Sequence, residues 1–119
     1  MNPVTLLQAR RGLNLLLIFC WMAVIFTGSS VPGNNIPRAV SPYSSFLHML
    51  EYSVLGFLLV PYTGKARSPL VFSILLATAY GLSDELHQLF VPGRYWDVYD
   101  LAADCIGSAV GAYLAGKWR

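Results

Sequence analysis

Hydrophobic and polar positions fall in blocks along this chain. Four apolar stretches, residues 13–28, 46–62, 69–90 and 98–116, are separated by segments rich in Pro, Gly and Ser. A helix crossing a hydrocarbon core of about 30 Å needs roughly 17–25 residues. The third and fourth stretches reach that length, and flanking residues can extend the first two. A soluble bundle would need a polar outer face on each helix. Residues 13–26 contain one polar side chain, Asn14, and residues 70–79 contain no charge. The pattern predicts one domain over residues 1–119, an all-α integral membrane bundle of four transmembrane helices.

Finer periodicities place faces on these helices. His48, Glu51, Tyr52 and Leu55 share a face of the second helix, where His48 and Glu51 can pair. The third carries Ser73, Ala77 and Gly81 four apart, with Glu85 continuing the line and Asp84, His87 and Gln88 on the neighbouring face. The fourth has two adjacent stripes: Ala103, Gly107, Gly111, Ala115, and Asp100, Asp104, Ser108, Ala112, Gly116. Small residues let helices approach closely in lipid, which predicts a thin, central fourth helix packed within the chain. Pro92-Gly93 predicts a tight turn before it.

Composition sharpens the membrane reading: 55% of residues are hydrophobic and 12% charged, against about 25% charged in globular domains. Charge then gives an orientation. With four spans, the N-terminus, the loop 63–68 and the C-terminus share one side and hold six basic residues, whereas the other side holds Arg38 and Arg94. The positive-inside rule puts both termini in the cytoplasm. The net charge of +2 is thus sided and does not point to nucleic acid. Arg10-Arg11, an apolar run and Gly28-Ser29-Ser30 also fit a signal peptide. Trp21 and Ile25-Phe26 make a poor cleavage region, so the first helix is expected to stay. Cys20 and Cys105 lie inside expected spans, lack metal-type spacing, and read as small buried residues.

All six acids, Glu51, Asp84, Glu85, Asp97, Asp100 and Asp104, fall in the outer half with both histidines. Asp104 is one helical step, roughly 6 Å, deeper than Asp100. A charge at the bilayer centre costs about 2.5–3.5 kcal/mol or more. Such a cluster persists when pairing with Arg94, protonation, water or a bound cation offsets the cost. Tyr95, Trp96 and Tyr99 form an aromatic rim suited to the membrane interface.

Four patches in order resemble the VanZ-like family of small bacterial membrane proteins, named for a teicoplanin-resistance protein: SSVP (29–32), HMLEY (48–52), SDELHQLFVPGR (83–94) and DVYDLAADCIGSAVG (97–111). The last two are the most specific. The resemblance implies a multi-pass protein of the bacterial plasma membrane, linked in some members to glycopeptide tolerance. The family often has a lysine three residues before the helix 2 histidine, where this chain has Ser45, and an asparagine near Asp104. The site here is therefore more negative.

These residues support several functions. As a binder, the protein would recognise membrane lipids, a lipid-linked envelope precursor or an antibiotic-related ligand through His48, Glu51, Gln88, Arg94, Asp97, Asp100 and Asp104. As an enzyme on an envelope substrate, it would use Asp84, Glu85 and His87, since His and carboxylates supply acids and bases. A divalent cation held by His48, Glu51, Glu85 and Asp104 could activate water. A transporter or scramblase would need a polar path through the inner half, where the fourth helix is apolar or small. In a purely structural role the cluster would knit the helices together.

Overall fold

A computed structural model describes residues 1–35, 43–94 and 97–119. Arg38, Tyr95 and Trp96, assigned above to the outer side and its rim, lie outside them. The described chain is all helical. It forms α1 (Pro3–Ala9), α2 (Arg11–Ser29), α3 (Ser44–Tyr62), α4 (Pro69–Gln88) and α5 (Val98–Gly116), with a 3-10 turn at Gly33–Asn35. The bundle measures 44 × 23 × 23 Å.

Local chemistry sets the helix ends. Asn2 caps α1 by accepting from Thr5 N at 2.9 Å, and Asp97 caps α5 by accepting from Tyr99 N at 2.8 Å. Pro3 and Pro69 open α1 and α4 at positions where a missing N–H costs nothing. Pro61 sits in the last turn of α3 and removes one backbone bond there. In the same turn, buried Asn14 of α2 donates to the Leu58 carbonyl at 2.9 Å.

The most extensive interface joins α3 to α5, followed by α4 to α5, so α5 is central. Glycine makes the α3–α5 approach close. A Cβ on Gly107 would fall on the Met49 carbonyl, one on Gly111 on the Ser53 carbonyl, and one on Gly56 on the Ser108 carbonyl. The small-residue stripes of α5 therefore pack inside the chain. Ile18 and Ile25 of α2 meet Tyr52, Leu55, Leu59 and Ala77 in the main apolar cluster.

α1 lies outside the four apolar stretches. It docks through Val4 beside Val60, Ala112 and Ala115. Around it, Arg11 donates to the Tyr62 carbonyl at 3.4 Å, Arg119 to the Gly64 carbonyl at 2.8 Å, and Asn2 to the Trp118 carbonyl at 2.9 Å. The N-terminus, the α3–α4 loop and the C-terminus thus gather at one basic end, where cations favour exposed helix carbonyls.

Of the four stretches expected to span, α2 and α3 are long and apolar enough by composition. α4 and α5 have 20 and 19 residues, but each carries two buried carboxylates. Cys20 and Cys105, read above as buried, are both exposed on the bundle surface. They sit among outward-facing Phe19, Val24, Ile106 and Val110.

Candidate functional site

The polar residues converge at the end opposite the basic one, between α2, α3, α4 and α5. Asp84, Glu85, Asp100, Asp104, His48, Gln88, Ser29 and Ser108 are all buried. Glu51, His87, Arg94 and Asp97 are only half-buried.

His48 of α3 turns to α5 and not to Glu51. Its Nδ1–H donates to Asp104 Oδ1 at 2.8 Å, because a carboxylate only accepts. Its Nε2 lies 3.7 Å from Asp100 Oδ2, too far for a hydrogen bond. Asp100 accepts from Ser45 Oγ at 2.8 Å and from Ser44 Oγ at 3.4 Å. Gly81 of α4 makes room for Asp104: a Cβ there would meet Asp104 Oδ2 at 2.7 Å. Ser108 returns its hydroxyl to the Asp104 carbonyl at 2.6 Å. The His48 ring lies nearly parallel to Tyr52, with 4° between planes and centroids 6.5 Å apart.

A second set joins α2 to α4. Ser29 Oγ donates to Asp84 Oδ2, and Gln88 Nε2 donates to Ser29 Oγ at 3.1 Å. His87 Nε2 meets Ser30 Oγ at 3.0 Å, and its ring stacks on Phe26 at 4.4 Å. Glu85 Oε2 accepts from Asp97 N at 3.4 Å, tying the start of α5 to the end of α4. Ser29→Ala would strand one Asp84 oxygen and the Gln88 amide in a buried setting. It is expected to cost about 1–3 kcal/mol, read as a lower unfolding temperature in detergent.

The loops at this end meet backbone to backbone. Gly33 N donates to the Pro92 carbonyl at 2.8 Å, and Gly93 takes a positive φ of 76° that favours glycine. Arg94 Nη1 donates to the Val31 carbonyl at 3.1 Å. Among the described residues Arg94 forms no ion pair; the two close nitrogen–carboxylate contacts both come from His48.

The carboxylates are left short of partners. Asp84 Oδ1, Glu85 Oε1 and Asp104 Oδ2 are buried without a hydrogen-bond partner among the described residues. Buried polar groups are ordinarily paired, so these three acceptors are open to a partner from outside the described residues. Of the residues singled out in the sequence, His48, Glu85, Asp100 and Asp104 come together, with Asp84 next to Glu85 in α4. Gln88 joins Asp84 through Ser29, and Asp97 joins Glu85 by its backbone. Glu51 stands apart: its carbonyl accepts from Trp21 Nε1 at 2.8 Å, and its carboxylate makes no hydrogen bond among the described residues.

Ser29, Ser45 and Gly81 belong to this site and were not singled out for it. The repeated Val-Pro-Gly at 31–33 and 91–93 was the available signal that the two loops meet.

No curated protein and no solved structure matches this chain. The family model described as VanZ/LLP1 matches residues 14–118. That range takes in α3, α4, α5, all but the first three residues of α2 and every residue of the buried polar junction, and the chain belongs to the VanZ/LLP1 family.

Proposed function

We propose that this protein crosses the bacterial plasma membrane four times, with both termini in the cytoplasm. Its extracytoplasmic polar site binds the headgroup of a lipid-linked envelope precursor. The orphan carboxylate oxygens of Asp84 and Asp104 carry this reading. Sugar hydroxyls and peptide amides are the donors such acceptors lack, and a lipid tail holds them at the depth of the site. Glycopeptide tolerance, implied by the resemblance, would follow if the precursor were masked from the drug.

The surface supports the membrane arrangement. Phe19 and Leu16 of α2, Leu75 of α4 and Tyr113 and Ile106 of α5 all face outward. The 44 Å length suits a bilayer of about 40–45 Å including headgroups. The basic residues gathered at the end opposite the carboxylates support the orientation.

The test is binding of a lipid-linked disaccharide-pentapeptide to protein in nanodiscs. Saturable binding is expected, weakened at least tenfold by Asp84→Asn with Gln88→Ala, at about 1.4 kcal/mol per tenfold. Wild-type protein that binds this precursor no better than it binds phosphatidylglycerol would end the reading.

A further inference from the structure

We infer that His48, Glu85 and Asp100 form a site for one divalent first-row metal ion of the zinc or manganese class, with Asp104 orienting His48. Metal binding here goes beyond precursor recognition and does not require it.

Geometry carries the inference. One donor atom from each of His48, Glu85 and Asp100 lies within 4.8 Å of the other two, and all three residues are buried. They come from three helices, α3, α4 and α5, so the convergence is a product of the fold. Donors about 2.0–2.2 Å from a zinc ion stand roughly 3.0–3.6 Å from one another. His48 Nε2 and Asp100 Oδ2, 3.7 Å apart, are already close to that spacing.

An independent observation points to a ligand. Glu85 is fully buried, yet its Oε1 has no hydrogen-bond partner among the described residues. The other oxygen of that carboxylate receives only a long bond from Asp97 N, at 3.4 Å.

The Asp104 contact supplies orientation. Giving Nδ1–H to Asp104 at 2.8 Å leaves Nε2 of a neutral imidazole with its lone pair toward Asp100. A carboxylate behind a ligating histidine is the usual outer partner in metal sites. One imidazole with two carboxylates suits zinc or manganese better than the all-oxygen shells of magnesium and calcium. The ion also offsets two of the four negative charges of Asp84, Glu85, Asp100 and Asp104.

The experiment uses full-length protein in detergent, carrying Cys20→Ser and Cys105→Ser so that exposed thiols bind nothing. After chelator treatment it is titrated with Zn²⁺ or Mn²⁺ alone, and bound metal is measured by elemental analysis. About one ion per chain is expected. Asp100→Asn and Glu85→Gln are each expected to weaken binding at least tenfold, and Asp104→Ala about 10–100-fold through the lost orientation of His48. Ser45→Lys places an ammonium beside Asp100 without removing a ligand and is expected to displace the ion from a folded protein. Wild-type protein that binds neither ion stoichiometrically overturns the inference. So does full affinity in Asp100→Asn, Glu85→Gln and Ser45→Lys together. Neither result bears on whether the precursor binds.

Discussion

Gly111→Ala is expected to cost about 3 kcal/mol, near the upper end for overpacking in a well-packed core. The new Cβ would land on the Ser53 carbonyl. Backbone lies on both sides of this contact, so no side chain can rotate aside and α3 and α5 must separate. Separation would also pull His48 from Asp104 and Asp100, because those contacts bridge the same two helices. Gly12→Ala is the matched control. A Cβ at Gly12 meets nothing within 4 Å, and alanine is the better helix former in this first turn of α2, by up to about 1 kcal/mol. The same substitution thus has opposite signs at two sites, read as unfolding temperature and monodisperse yield in detergent. An unchanged unfolding temperature for Gly111→Ala would show that glycine is not what sets the spacing of the seam.

Asp104→Ala is expected to be about as severe, at about 3 kcal/mol, the upper end for leaving a buried hydrogen-bond donor unpaired. Asp104 is fully buried, and its carboxylate accepts from His48 Nδ1. Alanine would leave that donor stranded and open space beside Gly81. Asp104→Asn keeps an acceptor for Nδ1–H and drops a charge, so it should lose much less. The contrast is diagnostic. Equal loss in both variants would mean that the negative charge of Asp104 matters more than its hydrogen bond. No loss in Asp104→Ala would mean that His48 finds another partner.

These effects explain which parts of the fold were readable from the chain. The long helices follow from runs of apolar residues, and the close α3–α5 approach from glycines and alanines four apart. Acid placement was readable too, since five of the six acids flank the turn after α4. Partner choice was not. Spacing within one helix favours His48 with Glu51, three residues away, whereas the observed partner is Asp104, 56 residues on. That pairing depends on how α3 is rotated against α5, which the glycine seam decides and no local pattern records. Ser45 is a related case. It was not placed in the site, yet its hydroxyl holds Asp100 at 2.8 Å. α1 was missed because seven residues are too few to be helical alone; docking Val4 and Leu7 on the bundle holds it in place. The cysteines were misjudged because, in an apolar surround, a small sulfur is as well suited to face outward as inward.

The uneven spread of carboxylates among the helices bears on biogenesis. In the proposed four-span arrangement, α2 and α3 emerge first and are apolar enough to partition into lipid unaided. α4 and α5 follow, each bearing two acids that a translocon would register at up to about 2.5–3.5 kcal/mol apiece near mid-membrane. Ser29 on α2 and His48 on α3, which receive Asp84 and Asp104, are already in place by then. Synthesis order thus lays down the receptive half of the bundle before the half that needs it, and the turn at 91–94 lets the two acidic helices enter as a hairpin.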